Sequence, residues 1–225
     1  MGQPKALLPV GREVMLQRVC RTLAAIVSPI AIVAAVGQEL PEWSNEWLAS
    51  HWPSTGAGEA DRNVCSTRGS ADRNVCSTGA SPIIRIARDP VEYRGPLAGL
   101  AVGISQLAPA VDCVYASACD APLLRPAFVR AMIDALGDHD IAVPFDGRFH
   151  HPLAAVYRVS VLPAIEELLA ADRLRPVFLF EKCRTREVSI EDLRRVDPEL
   201  DSLLNTNTPG EYEQALARIA AEEAR

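Results

Sequence analysis

The sequence has no excess of basic residues, and this absence argues against highly anionic binding partners. Its 225 residues include 23 Lys and Arg against 29 Asp and Glu, which gives a formal net charge of −6 and a pI near 5.3. Nucleic acids and anionic membrane surfaces are bound by clustered basic side chains. We therefore expect neither as a partner. Any phosphate group must be held by a few local cations, by backbone N–H groups or by a metal.

Long hydrophobic runs and export signals are also missing. The apolar run from Ile26 to Val36 is interrupted by Ser28 and Pro29, and it is shorter than the roughly 20 residues that span a bilayer. Exported proteins typically begin with a positively charged segment that is followed by an apolar one. The first residues of this sequence do not have that pattern. The sequence thus predicts a cytoplasmic protein without a membrane partner.

Metal- and redox-type cysteine spacings are absent as well. None of the six cysteines forms a Cys-x-x-Cys pair, and no histidine cluster has zinc-site spacing. We interpret the cysteines as buried or incidental thiols, because free cysteine is frequently a small core residue. The alternative for Cys65 and Cys76 is a redox pair, since they occupy equivalent positions in two copies of one segment.

That segment is a direct repeat of eleven residues. "ADRNVCSTRGS" at residues 60–70 is followed at once by "ADRNVCSTGAS" at residues 71–81. Neither copy has an apolar face, and both are rich in residues that favour turns and loops. We expect a duplicated surface insertion at about residues 60–81 within a single domain covering residues 1–225.

Outside the repeat, apolar strands alternate with amphipathic helices. The patterns predict helices at residues 14–26, 41–52, 95–108, 125–137, 160–171, 175–183 and 209–224, and strands at residues 29–37, 82–87, 111–118, 140–145, 152–159 and 186–190. Strands that are apolar throughout and alternate with helices indicate a mostly parallel sheet covered on both faces. Ligands of such α/β folds bind beyond the carboxyl ends of the strands.

Asp120 is the first candidate at such a strand end. It follows the apolar stretch "VDCVYASAC" directly, and a carboxylate there is costly unless it is paired or bound to a metal. Mg²⁺ prefers one or two carboxylates together with phosphate oxygens. The alternative is a capping role in the turn that follows.

Three further stretches contain candidate ligand-binding residues. In "RDPVEYRGPLAG", Asp89 ends a strand, and Gly95 and Gly99 permit close approach of a flat ligand. Lys5 could neutralise phosphate charge, and Asn205 and Asn207 offer amide donors and acceptors before a capped helix. For each, a role in an ordinary loop or turn is the alternative. The same holds for the histidine pair at residues 150–151.

Taken in order, these motifs resemble those of the molybdenum cofactor guanylyltransferases, which have a Rossmann-like fold. The opening "MGQPK" is similar to the second half of the family's phosphate-loop signature. The later matches are "GPLAG" at residues 95–99, "ACDAP" around Asp120, "HPLAAVYR" at residues 151–158 and "NTNTPGEY" at residues 205–212. The resemblance covers nearly the whole chain outside the repeat, and it implies a three-layer Rossmann-like nucleotidyltransferase fold.

The resemblance also implies a reaction: GTP and molybdenum-bearing molybdopterin would give molybdopterin guanine dinucleotide and pyrophosphate. Lys5 and Asp120 would be catalytic, with Mg²⁺ on Asp120. Other implied partners are molybdenum-cofactor biosynthesis proteins or acceptor molybdoenzymes. The implied nucleotide-binding residues are Lys5, Asp89, Gly95, Pro96, Leu97, Gly99 and Asp120, and the implied pterin-binding residues are Asn205 and Asn207.

Two departures from the family pattern leave alternatives open. The Leu-Ala-Gly-Gly half of the signature and its strand would precede Met1, and the apolar "AVG" at residues 35–37 replaces a polar residue after the second strand. We therefore expect a truncated enzyme whose first strand is absent. The alternatives are cytidylyl transfer to molybdopterin, an inactive nucleotide-binding remnant, and an α/β domain whose motifs are only structural.

Overall fold

The computed structural model describes residues 4–43, 84–89, 95–108 and 110–223. The strands are β1 (Pro9–Val10), β2 (Glu13–Val14), β3 (Ile30–Ala35), β4 (Ile84–Asp89), β5 (Cys113–Ser117), β6 (Ile141–Phe145), β7 (Ala154–Arg158) and β8 (Thr185–Ser189). The α-helices are α1 (Met15–Ala24), α2 (Gly95–Leu107), α3 (Pro126–Leu136), α4 (Leu162–Ala170), α5 (Val177–Lys182), α6 (Ile190–Leu193) and α7 (Pro209–Glu223). Short 3₁₀ turns occupy Lys5–Leu7, Val159–Val161 and Asp201–Leu203.

The main strands form two hydrogen-bonded groups. β3 and β4 pair in parallel, and β5, β7, β6 and β8 form a four-stranded sheet in that order. Within the described residues, β3 pairs with β4 alone and β5 pairs with β7 alone, so each has one open edge. Helix α2 nevertheless contacts β3, β4 and β5, which joins the two groups through a shared layer.

β7 runs against its neighbours, whereas the sequence pattern indicates a mostly parallel sheet. It is antiparallel to both β5 and β6, while β6 and β8 are parallel. The short connection between β6 and β7 explains the reversal, because a parallel pair needs a crossover of a dozen or more residues. The chain instead turns back at once, with an antiparallel bridge between Phe145 and His150.

Helices cover both faces of the sheet, as expected for a three-layer fold. Alternate residues of β6 and β7 point to opposite sides: Ile141 and Tyr157 pack with α2, α4 and α5, whereas Ala142 and Val156 pack with α3. Helix α1 packs on β3 and contacts α3. This alternation explains why the buried positions of both strands are apolar, since both of their faces are covered. Arg158, the last residue of β7, is only partly buried.

An ion-pair network fastens the C-terminal part of the chain. The Asp197 carboxylate is fully buried, accepts hydrogen bonds from the N–H groups of Asp201 and Ser202 at 3.1 and 2.8 Å, and pairs with Arg125 Nε at 3.2 Å. Arg125 also contacts Asp201 at 2.7 Å and Glu222 of α7 at 2.8 Å. The segment before α3, the 3₁₀ turn and α7 are therefore held together.

Most predicted elements are present, with two unpredicted additions. The β1–β2 hairpin precedes α1, and the short helix α6 follows β8 directly. The predicted helix at residues 41–52 lies mostly outside the described residues, and residues 41–43 are not helical. The repeat at residues 60–81 lies wholly outside them, with Cys65 and Cys76. None of the described helices is long and apolar enough to cross a membrane.

Candidate active site

Asp120 lies just beyond the end of β5, where the sequence predicts it. The Ala118 N–H donates to the Leu153 carbonyl at 3.1 Å, which ties the end of β5 to the segment before β7. The Asp120 side chain is only 13% exposed. Such a shielded carboxylate requires a charged or hydrogen-bonding partner.

Lys5, which lies 115 residues earlier in the sequence, supplies that partner. Its ammonium Nζ lies 2.8 Å from Asp120 Oδ2, and its side chain is 36% exposed. The 3₁₀ turn Lys5–Leu7 positions the lysine, and the burial of Ala6 at 2% exposure anchors that turn in the core around α1. The two predicted catalytic residues are therefore brought into direct contact.

Asn207 joins the same cluster. Its side-chain Oδ1 accepts a hydrogen bond from Lys5 Nζ at 2.6 Å. Asn205 and Asn207 are both exposed and flank Thr206, which is only 2% exposed. The Thr206 N–H donates to the Asp120 carbonyl oxygen at 2.9 Å. Thus the "NTN" segment is attached to the Asp120 backbone through Thr206, while its asparagines face outward.

A capping box fixes the end of this segment. The Glu211 carboxylate accepts from the N–H groups of Asn207 and Thr208 at 2.9 and 2.8 Å, and Thr208 Oγ1 accepts from the Glu211 N–H at 3.2 Å. These backbone hydrogen bonds, Thr208 first, lower the pKa of Glu211, because they stabilise the ionised carboxylate. The reciprocal bonds define the start of α7.

The other residues predicted to bind the nucleotide lie at the end of β4 and the start of α2. Asp89 is the last residue of β4, and Gly95 begins α2 with a φ of +71°. Pro96 is exposed, whereas Leu97 is fully buried in the core. Only the backbone of Leu97 is therefore available to a ligand.

Gly99 lies on the face of α2 that packs on β3. A Cβ atom placed on Gly99 would lie 4.0 Å from a Val33 methyl group of β3, and one placed on Gly103 would lie 3.4 Å from the other. Both are ordinary van der Waals distances, so the packing of α2 on β3 leaves room for a methyl group at Gly99. Whether Gly99 also contacts a nucleotide stays a prediction.

The described thiols do not provide a nucleophile near Asp120. Burial is the main cause that raises the pKa of Cys119, and burial likewise raises the pKa of Cys20 to about 12. Neither thiol is in a disulfide, and the raised pKa keeps both protonated at neutral pH. For Cys20, which is buried, this agrees with the interpretation of the cysteines as core residues.

The histidine pair has structural contacts. His150 Nε2 lies 2.7 Å from Glu187 Oε1, and its ring lies 4.7 Å from that of Phe145 and 5.0 Å from that of Phe180. His151 Nε2 is 3.5 Å from an oxygen of Asp146. These contacts agree with the loop role that the sequence left as an alternative.

The Asp120 cluster has the chemistry of a cation site. One carboxylate oxygen and one amide oxygen already hold a positive charge, the Lys5 ammonium, at 2.8 and 2.6 Å. The carboxylate of Asp120 is a hard oxygen donor that suits Mg²⁺, which commonly uses one or two carboxylates plus water and phosphate. In the part of the chain that the structure describes, no group of three or more His, Cys, Asp or Glu residues could hold a metal alone.

Thr206 is the residue of this site that sequence reasoning missed. Its Oγ1 lies 3.3 Å from the Asp120 carbonyl and 3.3 Å from the Met15 sulfur. The alternation in "NTNTP" carried the signal, because successive residues of an extended segment face opposite sides. With both asparagines outward, the threonine between them must point into the protein.

A three-layer α/β fold with an acidic residue at a strand end beside a lysine is the arrangement of a nucleotidyltransferase. The MobA-like NTP transferase domain model matches residues 1–185. The chain belongs to this family, has its Rossmann-like fold, and is a transferase.

Similar proteins agree with this membership. The chain is 36% identical over 137 residues to the molybdenum cofactor guanylyltransferase of Desulfosudis oleivorans, covering 60% of this chain and 67% of that one. It is 29% identical over 225 residues to a probable molybdenum cofactor guanylyltransferase of Pelotomaculum thermopropionicum, covering 100% and 89%. The crystal structure of molybdopterin-guanine dinucleotide biosynthesis protein A from Archaeoglobus fulgidus superposes with a TM-score of 0.66 at 18% identity, covering 98% and 92%, and supports the fold alone.

Proposed function

We propose that the protein transfers GMP from GTP to molybdenum-bearing molybdopterin, giving molybdopterin guanine dinucleotide and pyrophosphate. Family membership and the names of the relatives support this activity. The observation that carries it is the contact of Lys5, Asp120 and Asn207 at one point. A carboxylate and an ammonium beside each other suit a reaction in which anionic groups must be brought together.

In the reaction, the terminal phosphate oxygen of the pterin attacks the α-phosphorus of GTP. The new P–O bond forms as the bond to the β-phosphate oxygen breaks, and pyrophosphate leaves with the electron pair. Both reactants are anionic, so alignment and charge neutralisation supply most of the catalysis. Lys5 neutralises charge on the triphosphate as pyrophosphate leaves.

Asp120 is the residue that would hold Mg²⁺. A bound Mg²⁺ supplies Lewis-acid stabilisation of the phosphate charge. Asp120 suits this role because its carboxylate is shielded and already balances one positive charge. The backbone of Asp120 is held in place by the hydrogen bond that its carbonyl accepts from the Thr206 N–H at 2.9 Å.

Two further parts of the site bind the guanine and the pterin: the first lies at the end of β4 and the start of α2, and the second lies just before α7. Asp89 and the backbone of Gly95, Pro96, Leu97 and Gly99 recognise the guanine. Asn205 and Asn207 face outward next to Asp120 and hold the pterin side. Molybdenum-cofactor biosynthesis proteins or acceptor molybdoenzymes would take over the product.

Thermal unfolding with and without nucleotide tests this function. The chain is heated with GTP or CTP, each with and without Mg²⁺. A ligand at about 100 times its dissociation constant stabilises by roughly 2.7 kcal/mol, which corresponds to a rise in Tm of about 5–10 °C for a chain of this size. We expect this rise with GTP and Mg²⁺ together.

A rise with CTP instead of GTP would contradict guanylyl transfer and favour cytidylyl transfer. No rise with either nucleotide would contradict a nucleotide-binding function. Pyrophosphate release that requires both GTP and molybdopterin completes the test, because a nucleotide-binding remnant would bind without turnover.

A further inference from the structure

Asn207 has a contact that its proposed pterin role does not use. Its Oδ1 accepts a 2.6 Å hydrogen bond from Lys5 Nζ, which is shorter than the 2.8 Å between Nζ and Asp120 Oδ2. The ammonium thus bridges two oxygens, one charged and one neutral. Of these two, Asp120 is also the residue expected to bind a cation.

The backbone of Asn207 is held in place from both sides. The N–H of Asn207 donates to Glu211 Oε2 at 2.9 Å. The preceding residue, Thr206, is buried and donates its N–H to the Asp120 carbonyl at 2.9 Å. The backbone that carries the Asn207 amide is therefore attached both to the Asp120 segment and to the start of α7.

Lys5 needs such a second acceptor. Its side chain is 36% exposed and has many rotamers, so a single ion pair near solvent fixes it weakly. When Asp120 takes a divalent cation, the like-charged ammonium must move away from that carboxylate. The neutral amide oxygen can keep its hydrogen bond to the ammonium without competing for the cation.

We propose that Asn207 is a positioning residue for Lys5, holding the ammonium where the triphosphate binds once Asp120 is occupied. The inference rests on the proposed function and deepens it, because it moves Asn207 from the pterin half of the site to the nucleotide half. Asn205 then remains as the pterin residue of the pair.

GTP binding without molybdopterin tests this assignment. The dissociation constant of GTP is measured in excess Mg²⁺ for Asn207→Ala, Lys5→Ala and the double variant. Gln214→Ala removes an exposed amide side chain from α7 and serves as the matched control. We expect Asn207→Ala to weaken GTP binding about five- to tenfold, Lys5→Ala at least as much, and the double variant no more than Lys5→Ala. The control stays at the wild-type value.

Two results would overturn the inference. Unchanged GTP binding in Asn207→Ala would leave Asn207 to the pterin. Losses that multiply in the double variant would mean that Asn207 acts on the ligand or metal directly rather than through Lys5.

A labelling experiment measures the Lys5–Asn207 contact without any nucleotide. The chain has only two lysines, Lys5 and Lys182, and Lys182 pairs with Glu167 elsewhere, so it is an internal reference. Trace acetylation read by mass spectrometry should label Lys5 relative to Lys182 at least threefold faster in Asn207→Ala than in wild type or Gln214→Ala. An unchanged ratio would overturn the inference. If Asn207→Ala gives the expected faster labelling of Lys5 but the wild-type chain binds no GTP, the proposed function is contradicted and the Lys5–Asn207 contact is not.

Discussion

At the scale of single residues, the Asp120 carboxylate is the group on which the proposed reaction depends most. We predict that Asp120→Asn, which keeps the size but removes the charge, lowers kcat by on the order of 10²-fold or more, as removal of one preorganised electrostatic group does. Pyrophosphate release in saturating Mg²⁺ and both substrates measures this. Asp138→Asn is the control, since its side chain is 86% exposed. A rate for Asp120→Asn equal to that of the control would rule out the metal role.

Glu211 gives a prediction for the dependence of stability on pH. Hydrogen bonds from the N–H groups of Thr208 and Asn207 lower its pKa below the ordinary value of 4.5. Because the folded pKa lies below the unfolded one, the ionised carboxylate stabilises the fold above pH 4.5, and this contribution is lost as the pH falls through the folded pKa. Glu211→Gln should thus be less stable than wild type at pH 7, and the difference in stability should be smaller at pH 3.

Urea unfolding midpoints at both pH values measure this difference. Glu213→Gln, an exposed neighbour on α7, is the control and should differ little from wild type at either pH. A difference for Glu211→Gln that is as large at pH 3 as at pH 7 would refute the ionic cap.

At the scale of elements, two glycines of helix α2 are expected to respond differently to replacement by alanine. Gly95 has a φ of +71°, so Gly95→Ala should cost roughly 1–2 kcal/mol of folding free energy. Gly99→Ala should instead stabilise by up to about 1 kcal/mol, since alanine is the better helix former and its methyl group would meet only Val33 at 4.0 Å. Chemical denaturation measures both variants, and destabilisation by Gly99→Ala would contradict the packing described here. A stable Gly99→Ala variant with weakened GTP binding would assign Gly99 to the nucleotide.

The elements also define what the sequence can predict. Residues 95–107 and 126–136 have clear helical patterns with a glycine or proline at an end, and both helices are present. The direction of β7 could not be read from its apolar run, because burial on both faces gives the same pattern in either orientation. Contacts such as Lys5 with Asn207 were also beyond prediction, since no local pattern relates residues 202 positions apart.

At the scale of the whole molecule, Arg125 joins segments that are distant in the chain. Arg125→Ala would leave the buried Asp197 carboxylate without its cation. A fully buried pair broken in this way costs roughly 3–5 kcal/mol, and we expect on the order of 2–3 kcal/mol here because the Arg125 side chain is 39% exposed. The free energy of unfolding in urea measures this loss. Arg130→Ala, an exposed arginine of α3, should have little effect, and equal losses in the two variants would argue against the network.

The contacts of Lys5 have a consequence for folding, because Asp120 is 115 positions away in the sequence and Asn207 is 202 positions away. Closing such long loops costs more conformational entropy than forming a local helix or hairpin. Contacts between residues far apart in the sequence also make folding slow. The three groups therefore come together only after both ends of the chain have docked on the sheet. During refolding, helical signal should return first and the ability to bind triphosphate last. A partly folded molecule thus has no means of consuming nucleotide, and catalysis reports on completed assembly of the chain.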